Sequence, residues 1–297
     1  MTELQRLFDL NFDAYLHGPA LLGALAALGL AVGILTGMFG VGGGFLITPL
    51  LRVAFGIPYP LAIGSGLCYM VGASSSGAAR HARLRNVEPR SMLVLAATSM
   101  VGAVLGAMLN RYTNQGLGEL NYTLTMHALF IVLLLATAAL IGAGGAAKQS
   151  AQSMLQRLRL PPYIDLPGAE LPRVSGPGLC LVGLSVGVVT GMMGVGGGVL
   201  FMPLLILVVG LGPHQAVGTS LGVVLFSSAA GAAKYGLDGN VNMWIVMALM
   251  LSSVFGVQFG AWICQRLHAR SLRRYFAVLV LAVVAAMACD FVAKLLG

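Results

Sequence analysis

The chain has 297 residues, of which 58% are hydrophobic and only 9% are charged, and its mean hydropathy of +0.90 excludes a water-soluble globular protein. The net charge of +8 does not indicate a nucleic acid partner, because the basic residues lie in a few short loops beside apolar segments, where they orient a membrane protein. The cysteines show no CxxC spacing, so we expect neither a disulfide framework nor a zinc site, and no cofactor.

Apolar segments follow one another along the chain, and each is long enough to cross a bilayer as a helix, which takes about 20 residues. They lie at 61–79, 91–109, 122–146, 215–233, 243–263 and 274–296. Two further apolar regions, 20–56 and 176–210, are each interrupted by a glycine-rich motif. Segments such as IVLLLATAALIGA lack the alternation that a transmembrane β-barrel requires. The predicted fold is an all-α polytopic membrane protein surrounded by lipid, with eight to ten spans.

The sequence contains an internal duplication. GMFGVGGGFLITPLL at 37–51 returns as GMMGVGGGVLFMPLL at 191–205, with each residue 154 positions after its counterpart. The same shift places AIGSGL at 62–67 on AVGTSL at 216–221. This duplication divides the chain into a first transmembrane repeat at 1–146, a proline-containing linker at 147–175 and a second transmembrane repeat at 176–297.

Loop charges indicate that the two repeats are inverted. The loop at 80–90 carries four arginines, whereas its counterpart at 234–242 carries one lysine. The next pair has the opposite bias, because 264–274 carries four arginines and 110–121 carries one. Since basic loops stay in the cytoplasm, equivalent loops face opposite sides of the membrane. We expect the basic linker to be cytoplasmic and both termini to lie outside.

The consecutive glycines at 42–44 and 196–198 predict that one helix ends and another begins inside the membrane. Residues 45–56 span only about 18 Å as a helix, which is short of the hydrocarbon core of about 30 Å. We therefore expect broken helices or a re-entrant hairpin. The beginning of the second helix presents unpaired N–H groups and a partial positive charge, which together favour an anion. Close helix packing is the alternative role of these glycines.

Main-chain groups of both motifs, with nearby hydroxyl groups as donors, form the predicted binding site for a small anionic substrate. The predicted binding residues are Gly40, Gly42, Gly43, Gly44, Phe45 and Ser65 in the first half and Gly194, Gly196, Gly197, Gly198, Val199, Thr219 and Ser220 in the second. Arg52, Arg80 and Lys234 are candidates for gating or for attraction of the anion, and interfacial anchoring is their alternative role. For scattered glycines such as Gly102 and Gly256, we expect a role in helix packing.

The doubled GxxGxGGGxxxxP motif, the inverted halves and the helices rich in small residues resemble the TauE/SafE family of sulfite exporters. The family signature falls on Gly37, Gly40, Gly42 to Gly44 and Pro49, and on Gly191, Gly194, Gly196 to Gly198 and Pro203. This resemblance implies a secondary carrier of the bacterial inner membrane, not an enzyme, that exports small sulfur-containing anions by alternating access. The absence of a cysteine pattern suited to a thiosulfate relay favours sulfite, sulfoacetate or a related organosulfonate.

Several alternatives are left open by the sequence. An anion channel, or an importer of a related anion, could use the same site. An intramembrane serine enzyme is a further alternative because GASSSG at 72–77 is similar to the serine setting of intramembrane proteases. Such chemistry needs a base oriented on the nucleophile, and neither His81 nor His127 has a predicted partner. A homodimer is also compatible with the sequence.

Overall fold

The computed structural model describes residues 18–142, 163–165, 173–267, 275, 278, 280–289 and 291. Helices dominate this part of the chain, as predicted. In order they are α1 (Gly18–Phe39), α2 (Gly44–Phe55), α3 (Tyr59–Arg83), α4 (Pro89–Gly116), α5 (Glu119–Gly142), α6 (Gly176–Met193), α7 (Gly198–Leu204), α8 (Pro213–Leu237), α9 (Met243–Arg266) and α10 (Val280–Cys289). A π-helical turn, Leu205–Val209, continues α7.

The helices of the two halves begin at equivalent residues. Helices α2 and α7 begin at Gly44 and Gly198, and α4 and α9 begin at Pro89 and Met243, in each case 154 positions apart. The N-cap residues of α4 and α9 are also equivalent. The side chain of Glu88 accepts hydrogen bonds from the first turn of α4, and the side chain of Asn242 does the same for α9. The duplication in the sequence is thus a duplication of elements.

Helix α1 packs along α9, and the contact is made by small residues. Gly33 lies against Ser253 and Gly37 lies against Val257, so close that a β-carbon at either glycine would overlap the backbone of α9. Because both numbers rise together, the two helices run parallel. The predicted packing role of Gly256 is confirmed, since its β-carbon would overlap the backbone of α1.

When the two halves are exchanged, the contact equivalent to that of α1 with α9 is the contact of α6 with α4. Gly102 lies against Leu184 and Gly106 against Val188, again at distances that exclude a β-carbon. The first helix of each half therefore packs on the fourth helix of the other half.

Helices α3 and α8 cross each other at the centre of the molecule. Gly77 lies against Leu221, and Gly231 lies against Leu67, so these two equivalent helices run antiparallel. An antiparallel direction is what inverted repeats require. The inversion with respect to the membrane stays a prediction.

Six described helices are long and apolar enough to cross a bilayer: α1, α4, α5, α6, α8 and α9. This number is below the eight to ten spans expected. Helices α2 and α7 are too short to cross, and α3, with Ser74 to Ser76 in its middle, is long but less apolar. Most of the predicted linker lies outside the described residues, although Tyr163–Asp165 and Arg173–Ser175 pair as two short antiparallel strands, β1 and β2, which the sequence did not predict.

Candidate functional site

Two turns of identical backbone conformation interrupt the helices at the glycine motifs. The first runs from Gly40 to Gly43 and the second from Gly194 to Gly197, and we call them the glycine turns. The φ angles are +70°, +76° and +82° at Gly40, Gly42 and Gly43, and +68°, +77° and +68° at Gly194, Gly196 and Gly197. Since other residues rarely adopt this left-handed region, each motif needs glycine at these positions. The predicted breaks in the helices are confirmed.

The two glycine turns contact each other. Gly44, at the beginning of α2, lies against the carbonyl group of Gly194, and Gly198, at the beginning of α7, lies against the carbonyl group of Val41. In both cases a β-carbon would overlap the carbonyl oxygen. The structure therefore brings the main-chain parts of the two predicted half-sites together, although they are far apart in the sequence.

The helices that follow the turns begin with unused hydrogen-bond donors. The amides of Leu46 and Ile47 both donate to the carbonyl oxygen of Gly43, at 3.0 Å. Among the described residues, the N–H groups of 42–44 and 196–198 have no hydrogen-bond acceptor. Phe45 and Val199, also predicted to bind substrate, are 1% and 0% exposed and line the first turns of α2 and α7. Each broken helix thus presents amide donors at the centre of the protein.

Side chains from α3 and α8 cover the glycine turns. The sulfur of Met70 lies beside Gly44 and Gly196, and Val224, its counterpart 154 positions later, lies beside Gly42. The hydroxyl of Ser74 is also near Gly42, and it has no hydrogen-bond partner within the described structure. The sequence did not single out Met70 or Val224, because an apolar residue in an apolar helix carries no signal of its own.

The surroundings of the two turns differ chemically. A β-carbon on Gly43 would lie 2.7 Å from Oγ1 of Thr36 and 3.2 Å from the hydroxyl of Tyr69. Both hydroxyl groups are buried, and neither meets the distance and angle limits of a hydrogen bond with any described atom. At the second turn, Thr190 donates to the carbonyl oxygen of its own helix residue Val186 at 2.8 Å. Unused hydroxyl donors therefore accompany the first turn.

Two predicted binding residues, Ser65 and Thr219, each make a hydrogen bond to the opposite repeat. The Ser65 hydroxyl oxygen accepts from the N–H of Asn242, and the Thr219 oxygen accepts from the N–H of Glu88, both at 2.9 Å. These amides belong to the N-caps of α9 and α4. The two side chains thus join each central helix to the beginning of a helix in the opposite repeat.

Ser220, also predicted to bind substrate, contacts the first glycine turn. It donates to the carbonyl oxygen of Gly40 at 2.7 Å and to that of Val217 at 2.9 Å. Thr48, which the sequence did not single out, donates to the carbonyl oxygen of Gly194 at 3.2 Å. One hydroxyl therefore fixes the first carbonyl of each turn.

The three basic candidates lie away from the turns. The guanidinium group of Arg52 donates to Oγ1 of Thr123 at 3.3 Å and lies 5.7 Å from the centre of the Tyr59 ring. Arg80 is in the last turn of α3, and its Nε has no partner in the described part of the chain. Lys234 binds the carboxylate of Asp238 at 2.6 Å. These positions are compatible with a role at the approaches to the site and not with direct contact at its centre.

The helices that lead into the two turns are held at equivalent positions by different side chains. The Tyr235 hydroxyl donates to the carbonyl oxygen of Gly191 at 3.0 Å. Its counterpart His81 places Nε2 3.2 Å from the carbonyl oxygen of Gly37. This pair could have been found from the sequence, because the two residues are 154 positions apart.

The family model described as sulfite exporter TauE/SafE matches residues 25–287. The chain is 24% identical over 258 residues to the probable membrane transporter protein YunE of Bacillus subtilis, covering 84% of this chain and 90% of the relative. To YjnA of the same organism, also a probable membrane transporter protein, it is 28% identical over 260 residues, with coverages of 87% and 96%. A probable membrane transporter protein of Methanocaldococcus jannaschii is 26% identical over 270 residues, with coverages of 85% and 90%. No solved structure gives a significant match.

Proposed function

This chain belongs to the sulfite exporter TauE/SafE family and is a membrane transporter, and we propose that it exports small sulfur-containing anions across the bacterial inner membrane. Sulfite and organosulfonates such as sulfoacetate are the proposed substrates. Family membership and the relatives imply transport and not enzymatic catalysis.

One observation carries the proposal about the site, namely the contact between the two glycine turns. Gly44 packs on the carbonyl of Gly194 and Gly198 packs on that of Val41, so the amide-rich beginnings of α2 and α7 lie side by side. The beginning of a helix carries a partial positive charge of roughly half an elementary charge. Away from water, such charges act more strongly on an anion. We place the anion at these turns, with most of its binding energy at α2, because α7 spans only seven residues.

The hydroxyl groups at the first turn support this assignment. The hydroxyls of Thr36 and Tyr69 are buried, lie beside each other and converge on Gly43, and neither makes a well-formed hydrogen bond with a described atom. A buried polar group without a partner is costly, so a ligand oxygen that accepts from it stabilises the bound state. An oxyanion with several acceptor oxygens satisfies amides and hydroxyls together.

The arrangement of the repeats supports alternating access of this site. Helices α3 and α8 are antiparallel, and α1 and α6 each pack on the fourth helix of the opposite repeat. This exchange of partners suits a movement of one unit against the other around a fixed centre. Rocking and an elevator-like slide are both compatible with it, and we favour the slide because the predicted linker at 147–175 is long.

Counterflow in proteoliposomes tests the proposal. Vesicles loaded with unlabelled sulfoacetate or sulfite should accumulate external labelled substrate in a saturable manner, whereas a channel would give single-channel steps in a planar bilayer. Thermal shifts of the purified protein with sulfite, sulfate, sulfoacetate, taurine and thiosulfate would rank the anions. No counterflow and no shift with any of these compounds would contradict the proposal.

A further inference from the structure

We propose that a cavity at one end of the helix bundle is a second anion site, a vestibule in which Asp238 occupies the position that an incoming sulfonate or sulfite takes on Arg111. The anion class rests on the proposed function. The geometry of the cavity does not depend on it.

The vestibule lies between the ends of α4 and α8 and the beginning of α3, and it has a volume of about 400 Å³. Its lining includes Arg111, Asn114 and Asp238, together with the buried residues Asn110 and Tyr235. A water molecule occupies about 30 Å³ of liquid, so the cavity has room for a small organic anion with part of its hydration shell.

Two cations share the carboxylate of Asp238, which lines this cavity together with Arg111. The Nη1 atom of Arg111 is 2.8 Å from Oδ1 of Asp238, and Nζ of Lys234 is 2.7 Å from Oδ1 and 2.6 Å from Oδ2. The cluster therefore keeps one positive charge in excess. Arg111 belongs to the first repeat, and Lys234 and Asp238 belong to the second, so the carboxylate joins the two halves of the protein.

The Arg111 ion pair is open to exchange. The side chain of Arg111 is 55% exposed, whereas those of Asp238 and Lys234 are 12% and 16% exposed. An exposed ion pair is weak because water and salt screen it. A sulfonate has three acceptor oxygens, two of which can accept from one guanidinium group as the two oxygens of a carboxylate do. An incoming anion can thus take Arg111 while Lys234 retains Asp238.

The inner end of the vestibule adjoins the chain segment that leads to the second glycine turn. Asn110 donates from Nδ2 to the carbonyl oxygen of Met192 at 2.7 Å, and Tyr235 donates to that of Gly191 at 3.0 Å. These carbonyls lie at the end of α6, directly before Gly194. The vestibule is therefore at the approach to the proposed central site.

The equivalent positions in the other repeat lack the competing acid. The residues 154 positions from Arg111, Lys234 and Asp238 are Gln265, Arg80 and Leu84, which carry one positive charge and no carboxylate. The equivalent positions thus provide an internal control: a change at Asp238 removes a competitor for the anion, and a matched change at Leu84 does not.

Charge-selective labelling tests the vestibule without any transport. In full-length protein with the four native cysteines replaced, the variant Asn114→Cys is treated with methanethiosulfonate reagents that carry either a sulfonate or a trimethylammonium group. The labelling ratio is the rate with the sulfonate reagent divided by the rate with the trimethylammonium reagent. This ratio should be higher for the protein than for a free thiol in solution. Asp238→Asn should raise this ratio about twofold to fivefold and Arg111→Gln should lower it by a similar factor, which is the range of one exposed ion pair. Leu84→Asn should leave the ratio unchanged.

Transport provides the second arm. In sulfoacetate counterflow, Asp238→Asn should lower KM about twofold to fivefold, and Arg111→Gln should raise it. The proposal would be overturned if the labelling ratio equalled that of the free thiol and neither variant changed it. Arg111 and Asp238 would then form an ordinary surface ion pair. Absence of sulfoacetate flux in the wild type, with a labelling ratio that responds as expected, would instead contradict the proposed substrate class and not the vestibule.

Discussion

Gly198 lies against the carbonyl group of Val41 so closely that a β-carbon could not be added without moving one of the two backbones. The contact joins the beginning of α7 to the first glycine turn, and its counterpart joins Gly44 to Gly194. Both contacts are between main-chain groups. The relative position of the two turns is therefore set by backbone shape and tolerates no side chain.

Gly198→Ala should strongly reduce anion flux, because the added methyl group forces the two turns apart. Overpacking of this kind also costs about 1–3 kcal/mol of stability. Counterflow in proteoliposomes and thermal unfolding measure the two effects. Gly23→Ala is the matched control, since Gly23 in α1 has no atom near its β-carbon position. Wild-type flux in Gly198→Ala would show that the contact is not needed for transport.

Tyr69→Phe should raise KM for the transported anion about tenfold or more, because a hydrogen bond to a charged group contributes about 1.5–3 kcal/mol. Thermal stability should not fall, since the lost hydroxyl has no partner among the described atoms. Tyr112→Phe is a suitable control because the Tyr112 side chain is 73% exposed. An unchanged KM in Tyr69→Phe would place the anion away from the Tyr69 hydroxyl.

Ser65→Ala should lower the melting temperature and leave KM unchanged. Its hydroxyl accepts a hydrogen bond from the N–H of Asn242, and a buried amide left without a partner costs about 1–3 kcal/mol. Thr219→Val should behave in the same way through Glu88. A raised KM with an unaltered melting temperature would instead support the predicted binding role of these two residues.

Gly106→Ala should destabilise the protein by about 1–3 kcal/mol, because its β-carbon would overlap the carbonyl oxygen of Val188 in α6. Gly116→Ala, in the last turn of the same helix, meets no atom and should be neutral or slightly stabilising. Equal melting temperatures for the two variants, measured in the same detergent, would contradict the parallel packing of α4 on α6.

The sequence predicted the features that depend on local chemistry. Repeated glycines fixed the position of both helix breaks, and the shift of 154 positions matched the beginnings of the equivalent helices. The role of Ser65 could not be predicted in this way, because its partner Asn242 is 177 positions away and belongs to the other repeat. The sequence does not distinguish a hydroxyl group that binds a ligand from one that hydrogen-bonds to the N-cap residue of a helix.

The difference in hydroxyl groups around the two glycine turns also could not be predicted from the sequence. Thr36 and Thr190 are equivalent residues, yet only Thr190 donates to its own helix, while the Thr36 hydroxyl lies beside that of Tyr69. The position equivalent to Tyr69 is Val223. Side-chain differences between the two repeats thus determine which glycine turn has hydroxyl groups available as hydrogen-bond donors.

The packing of α1 on a helix of the second half also affects how the chain folds during its synthesis. Helix α1 ends at Phe39, but among the described residues Gly29, Gly33 and Gly37 of α1 pack against α9, which begins at Met243. At a synthesis rate of about 5–20 residues per second, roughly 10–40 s pass between the synthesis of α1 and that of the beginning of α9. Until then a surface of small residues faces lipid or a membrane insertase, and truncation before α9 removes the partner entirely.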